Sequence, residues 1–411
     1  MSSYAKRTRD KINKAKAEKL KDSGHKKWFE CTDLLKKYPK ARYYFILAGR
    51  STGKTYSVLQ QSLKDALDGK GLFAYVRRYK DSITDTYIQD LLKPQWEFVE
   101  KYTNGEWNRL GYWRKRWYLE RWERDENGDL QRTQRNPDPI GGAFAVNTWE
   151  TSKGPDFGAL YGIKNIILDE ALSKGGDYLT DEWGKFENVV SSLVRDRTDA
   201  DTKIWLLANP VSKWNNCYFN QLGITKKMYT GEDYITLIEY PNEKGGKSTM
   251  STVFCYIKKR DDGTGGIDRD AVYDTYFAFP NSKGKSKSIT DGMWEMEDAN
   301  ILPSQTYQNS EKNRTIYFKF QEELFACDVM RHDVTGLYYL FFHPTEKLRE
   351  KCYYFTLDLE MNKYAIVGCK TGHPIADLFN RIYRTGQVYY SDNMIADCFH
   401  GFIKEANKRI I

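Results

Sequence analysis

Short apolar runs alternate with longer amphipathic stretches from residue 43 to about 228. Tyr43–Leu47, Leu72–Val76, Asn165–Leu168 and Lys203–Leu207 each read as a buried strand that gives way to polar residues at its C-terminal end. Helix-compatible segments separate them, one beginning near Asp181 and ending at Arg195-Asp196-Arg197. Strands alternating with helices predict a parallel α/β sheet with helices on both faces. Open sheets of this kind bind ligands at the C-terminal edge of their strands, so the polar strand ends are where chemistry is expected.

The pattern breaks in three places. An aromatic and basic stretch, Trp113-Arg114-Lys115-Arg116-Trp117-Tyr118, runs on to Trp122 and then to Asn127-Gly128, a strong hairpin turn signal. This predicts a β-hairpin decorating the sheet. Residues 229–313 carry flexible punctuation at Gly263-Thr264-Gly265-Gly266 and Asn281–Ser288, which reads as a linker region holding one small folded element. From 314 to 411 the chain turns strand-rich again (Thr315–Phe320, Tyr338–Phe342, Tyr353–Leu357) and closes on a helix, Met394–Lys408, predicting a second, smaller α/β domain. The domains expected are therefore 1–40, a basic arm or helix; 41–228; 229–313; and 314–411.

Composition narrows this picture without deciding it. A chain of 411 residues exceeds one ordinary core. Lys and Arg outnumber Asp and Glu by 64 to 56, a surplus of +8 that permits a polyanionic partner. Part of it lies in residues 1–27, with ten basic residues against three acids; a solvated leader and a nucleic-acid contact fit equally. The seven cysteines are scattered and never form CxxC, which suits reduced thiols rather than a zinc site or a disulfide framework. The charged N-terminus lacks an apolar h-region and no run approaches 18 apolar residues, so an intracellular protein without a membrane span is expected.

The chemistry begins behind the first strand. Ala48-Gly49-Arg50-Ser51-Thr52-Gly53-Lys54-Thr55 is a glycine-containing loop ending Gly-Lys-Thr and opening a helix, the setting of a phosphate-binding P-loop. Backbone N–H groups from Gly49 to Gly53 would cradle phosphates, Lys54 would reach the β/γ oxygens and Thr55 would hold Mg²⁺, so ATP and Mg²⁺ are the expected cofactors. Ala48 departs from the usual first glycine. Ile166-Ile167-Leu168-Asp169-Glu170 has the form of a Walker B strand, with Asp169 serving the metal shell and Glu170, turned the other way by strand alternation, polarising the attacking water. A buried strand ending in a solvated acidic turn is the bland alternative. Asn209, ending Trp205-Leu206-Leu207-Ala208, suits a γ-phosphate or water contact and equally an Asn–Pro turn. Arg195 and Arg197 stand at a helix end, where a finger reaching a neighbouring subunit's nucleotide competes with ordinary solvated charge. Arg77, Arg78 and Lys80 follow the second strand and Lys153 precedes the Walker B strand; they are candidates for DNA contact, or simply solvated.

Together the P-loop with Arg50, Tyr75-Val76-Arg77-Arg78-Tyr79-Lys80, Asp169-Glu170, Arg195-Asp196-Arg197, Asn209 with Val211-Ser212, and Asp392-Asn393 before the final helix resemble the genome-packaging ATPases of phi29-like phages, ASCE-type motors related to large terminases. Residues 241–313 match poorly, and the hairpin at Asn127-Gly128 is longer than that pattern. The resemblance implies a homomeric, pentameric ring at the portal vertex of a procapsid in the host cytoplasm, driving double-stranded DNA inward, with a structural RNA as a further partner. It implies Arg195 as the leading trans-acting finger and Arg197 as the second. It also implies an RNase H-like C-terminal domain without nuclease activity. Asp358 and Glu360, two apart, are the acids on which a nuclease would rest, together with Asp328 and Asp333. A terminase with a working nuclease, a ring helicase, and a non-enzymatic nucleic-acid-binding protein with a decayed P-loop are the alternatives.

Overall fold

In the computed structural model the described residues are 28–49, 52–148, 162–173, 178–194, 201–211, 216–225, 228, 234–241, 246–257, 299–320, 323–368 and 372–408. The first half builds α1 (Cys31–Lys37), β1 (Tyr43–Ala48), α2 (Lys54–Leu67), β2 (Leu72–Arg77), α3 (Asp85–Leu91), α4 (Trp96–Tyr102), β3 (Arg109–Trp113), β4 (Arg116–Arg124), β5 (Leu130–Arg135), β6 (Gly141–Ala145), β7 (Ile163–Asp169), α5 (Glu182–Val194), β8 (Lys203–Ala208), α6 (Cys217–Gln221), β9 (Tyr234–Pro241) and β10 (Lys247–Ile257). These strands form one sheet in the order β3-β4-β6-β2-β7-β8-β1-β10-β9, with β5 paired to β4. The run from β6 to β10 is parallel throughout. The P-loop strand β1 and the Asp169 strand β7 are separated by β8, the arrangement of an ASCE-type P-loop domain.

All six residues of β1 and of β8 are buried, as strands covered on both faces must be. On one face Val58, Leu59 and Leu63 of α2 pack against Tyr44, Ile46 and Tyr75. On the other, Phe186, Val189 and Leu193 of α5 pack against Phe45, Leu47, Val76 and Leu168. Helices thus lie on both sides of the sheet, and the P-loop end of β1 is held from both.

Two expected boundaries move. Residues 234–241 and 246–257 fall in the stretch read as a linker, yet β9 pairs with β10 and β10 pairs in parallel with β1 from Tyr43↔Thr252 to Ala48↔Ile257, so these two strands complete the first sheet. Within the stretch read as an N-terminal arm, residues 28–37 are part of the same core: Cys31 and Leu34 are buried, and the Phe29 N–H donates to Thr52 O at 3.0 Å. Residues 1–27, and the punctuated stretch 258–298, lie outside the described residues.

The second unit contains α7 (Ser304–Gln308), β11 (Ser310–Phe320), β12 (Glu323–His332), β13 (Tyr338–Pro344), β14 (Tyr354–Thr356), β15 (Ala365–Val367), α8 (Pro374–Arg384), β16 (Val388–Tyr390) and α9 (Asn393–Lys408). Its sheet runs β15-β14-β11-β12-β13-β16, with β11, β12 and β13 antiparallel and β14 and β15 joining in parallel. That is an RNase H-like sheet with one added strand. Phe379 of α8 and Phe399 and Phe402 of α9 close around Phe318, covering one face. Its start precedes the expected 314, since Ile301 bridges to Tyr390.

Candidate active site

The P-loop forms because β1 must pass straight into α2. Gly53 is the pivot: its φ of +86° is a left-handed conformation that glycine adopts without penalty. Ala48, the departure from the usual glycine, sits in extended backbone as the last residue of β1 and needs no such freedom. Its side chain is buried. Thr52 Oγ1 donates back to Gly49 O at 3.0 Å, tightening the loop. Arg50 and Ser51 lie outside the described residues.

Lys54 opens α2 and is buried. Its Nζ donates to Ala48 O at 3.0 Å, to Gly49 O at 2.9 Å and to Asn209 Oδ1 at 2.7 Å. The ammonium is thereby held over the mouth of the loop, and Asn209 meets it from the end of β8. Thr55 Oγ1 donates to Asp169 Oδ1 at 3.3 Å. A hydroxyl and a carboxylate brought together beside a phosphate loop are the hard oxygen donors that Mg²⁺ selects, so the residues present fit that ion.

Asp169 is oriented by a residue to which the sequence reading assigned no role. Tyr75 on β2 donates its hydroxyl proton to Asp169 Oδ2 at 2.9 Å and meets the Tyr87 hydroxyl at 3.1 Å. Burial, reinforced by the Asp169 charge, pushes the Tyr75 phenol well above its usual range, so it remains a donor. With its one proton committed to Asp169, Tyr87 supplies the proton between the two phenols. Strand register is the signal that finds Tyr75. On β2, Tyr75 pairs with Ile167, placing it one alternation short of Asp169 on the neighbouring strand.

The alternation expected for Glu170 does not hold. β7 ends at Asp169, and Glu170 takes a φ of +57°, a left-handed turn that is costly for a residue with a side chain. The turn is fixed from beneath. Arg78 donates to Glu170 O at 3.3 Å and to Ala171 O at 2.7 Å, while Ala171 N–H donates to Leu207 O at 2.9 Å. As a result both acids face one guanidinium: Arg77 donates to Glu170 Oε2 at 2.6 Å and lies 3.7 Å from Asp169 Oδ2.

Arg77 and Arg78 thus have separate tasks, although they adjoin in sequence. Arg78 is buried, and its Nε contacts Glu182 Oε1 and Oε2 at 3.0 and 2.8 Å. Glu182 also accepts from the Tyr218 hydroxyl at 2.7 Å and the Leu179 N–H at 2.9 Å. A side chain sunk in that network does not reach a DNA backbone, which removes Arg78 from the candidate DNA contacts. Lys80 is exposed, its backbone N–H donating to Asn147 Oδ1 at 3.0 Å. Lys153, Arg195 and Arg197 lie outside the described residues.

The chain is similar to phage DNA-packaging motors. It is 15% identical to the phi29 viral genome packaging motor assembly, covering 93% of this chain and 100% of that one with a TM-score of 0.49. For the phi28 gp11 DNA packaging motor the identity is 14%, the cover 92% and 98%, and the TM-score 0.42. For the large terminase ATPase domain of Thermus phage P74-26 the figures are 12%, 61% and 87%, and 0.33. No family model matches the sequence, and no curated protein matches it.

In the second unit the candidate nuclease acids do not converge. Glu360 pairs with Lys319 Nζ at 2.7 Å and accepts from the Tyr354 hydroxyl; chiefly the ammonium holds its carboxyl below the usual range. Asp358 is exposed. Asp328 is buried, accepting from Thr315 Oγ1 at 2.6 Å with His343 Nε2 at 3.2 Å. Asp333 is exposed in the turn that follows β12. Among the described residues no group of three or more His, Cys, Asp or Glu side chains is arranged to hold a metal ion. Among them, too, no helix is long and apolar enough to cross a membrane.

Proposed function

We propose that this chain is an ATP-driven double-stranded DNA translocase that packages a viral genome into a preformed procapsid as a homomeric ring. The observation that carries the reading is the convergence of Lys54, Asn209, Thr55, Asp169 and Glu170 at one strand edge of an ASCE-type sheet, in a chain that continues into an RNase H-like unit. A P-loop turning over ATP needs these five groups and little covalent chemistry, since phosphoryl transfer is catalysed by positioning and charge. Lys54 binds the β/γ oxygens and Thr55 and Asp169 hold Mg²⁺, which supplies charge neutralisation when bound. Asn209 orients the γ-phosphate or the water, and Glu170 accepts the proton of the attacking water. Arg195, with Arg197 second, acts on the nucleotide of the adjacent subunit. Lys80 and Lys153 contact DNA phosphates without reading bases, as translocation requires. The ring is a pentamer docked on the procapsid portal, directly or through a structural RNA.

Glu170 has a further requirement. Arg77 holds Oε2 at 2.6 Å and so fixes where the carboxylate points, leaving only Oε1 to meet the attacking water; opening that pair frees the carboxylate to turn to it. The pair is partly exposed, with the Glu170 side chain at 59%, and such pairs contribute about 0.2–1 kcal/mol. Arg77→Ala is therefore expected to raise DNA-independent ATP turnover about 1.5- to 5-fold. Steady-state phosphate release with and without linear duplex measures this; turnover unchanged or abolished without duplex would refute the latch.

Subunit mixing tests the ring and the finger. Arg195→Ala and Glu170→Gln subunits, each nearly inactive alone, should regain part of wild-type hydrolysis when combined, because some interfaces then hold an intact Glu170 and an intact Arg195. Full activity of Arg195→Ala by itself, with no recovery on mixing, excludes the finger.

A further inference from the structure

We infer that the hairpin region β3–β5 is a binding surface for unpaired nucleotides, separate from the ATP site. It occupies the edge of the first sheet, where the aromatic and basic stretch of the sequence folds into three antiparallel strands. Cross-strand register sorts its side chains. Residues paired directly across antiparallel strands share a face. Arg109 pairs with Glu120, Gly111 with Tyr118 and Trp113 with Arg116. On the other side Glu120 pairs with Arg135 and Trp122 with Arg132, a bulge between these two pairs keeping both arginines on the same side. One face therefore gathers Arg109, Arg116, Arg132 and Arg135, with Arg124 continuing the row, around Trp113, Tyr118 and Trp122.

The only carboxylate in that set does not cancel the charge. Glu120 is buried at 4% side-chain exposure, lies across Gly111, and is consumed internally. It accepts from Arg132, Arg135 and the Trp122 indole at 2.6–3.1 Å. What it does is tether two guanidinium groups to this face of the sheet. Aromatic contacts add to this: Arg109 lies between the Trp96 and Trp122 rings, 4.8 and 4.9 Å from their centroids. Arg135 lies 5.4 Å from the Tyr118 ring. At the tip, Arg114 and Lys115 turn the chain with φ of +49° and +62°. Arg114 covers the Trp113 ring at 4.3 Å, while that indole stays 47% exposed.

A surface of guanidinium groups complements phosphodiester charge, and the exposed Trp113 indole, with Arg114 4.3 Å and Arg135 5.8 Å from its ring centroid, offers a mixed aromatic and arginine stacking surface beside them. The two together select the partner. Bases inside a duplex are already stacked on both faces, so an aromatic platform adds nothing to duplex affinity. Unpaired bases stack on aromatic and arginine planes, with strand phosphates on the neighbouring cations. The partner is a single-stranded or looped nucleic acid, RNA or DNA alike in this chemistry.

The test uses the full chain and fluorescein-labelled 12-nucleotide oligouridine, oligodeoxythymidine and a 12-base-pair duplex in anisotropy titrations. The tighter-binding of the two unpaired strands identifies the source, and the duplex, which binds elsewhere on the chain, serves as the probe that Trp113 should not affect. Trp113→Ala should weaken unpaired-strand binding at least about fivefold, a single base stack, while Trp113→Phe retains it. ATP turnover of Trp113→Ala should equal wild type, which controls for folding and keeps this result independent of the ATPase reading. Wild-type affinity of Trp113→Ala for both strands overturns the proposal, as does a loss of duplex affinity in Trp113→Ala as large as its loss for the unpaired strands. Displacement of the strands by polyglutamate of matched charge at the same concentration as by unlabelled strand also overturns it, in favour of an acidic protein partner.

Discussion

Glu170→Gln is expected to lower steady-state ATP turnover by about 10²–10⁴-fold, the range by which a positioned general base contributes. Nucleotide affinity should stay near wild type. The amide keeps the size and the left-handed turn of the residue, which Arg78 fixes through the Glu170 and Ala171 carbonyls rather than through the side chain. It cannot take a proton from water. Loss of the Arg77 ion pair should leave stability little changed, because the Glu170 carboxylate is exposed. Phosphate release and titration with a fluorescent ATP analogue separate the two effects. Normal hydrolysis by this variant would remove Glu170 from the chemistry.

Lys54→Ala should abolish turnover through a different route, by losing the nucleotide. A charge-assisted contact to phosphate contributes about 1.5–3 kcal/mol, so affinity should fall roughly 10- to 150-fold. The substitution also has a structural cost that Glu170→Gln lacks. Nζ serves the Ala48 and Gly49 carbonyls and the Asn209 side chain, and a buried acceptor left unpaired costs about 1–3 kcal/mol. The denaturation midpoint of Lys54→Ala should therefore drop, whereas that of Glu170→Gln should not. Wild-type ATP affinity in Lys54→Ala would contradict the loop's assigned role.

These two residues were legible in the sequence because their signals are local. A strand, a turn glycine and a helix start follow one another within about a dozen positions, and the Walker B acids end an apolar run. What was hidden depends on partners far along the chain. Arg77 and Arg78 look alike until strand alternation sends one to Asp169 and Glu170 and the other to Glu182, 104 positions away. Tyr75 could be found only from the β2–β7 register. The turn at Glu170 is imposed by Arg78, against the residue's own preference. Strands β9 and β10 read as linker because β9 alternates between half-buried and exposed positions at the sheet edge, and glycines surround the pair. The parallel pairing of β10 with β1, with β9 added antiparallel outside it, is a long-range contact that local composition does not announce.

The decisive measurement is ATP hydrolysis titrated with linear duplex DNA while oligomeric state is followed in the same samples. Turnover should rise with duplex and track the appearance of a ring, and Glu170→Gln should assemble the same ring without hydrolysis. Hydrolysis by the monomer that is indifferent to duplex, or no hydrolysis in any assembled state, would contradict a ring translocase.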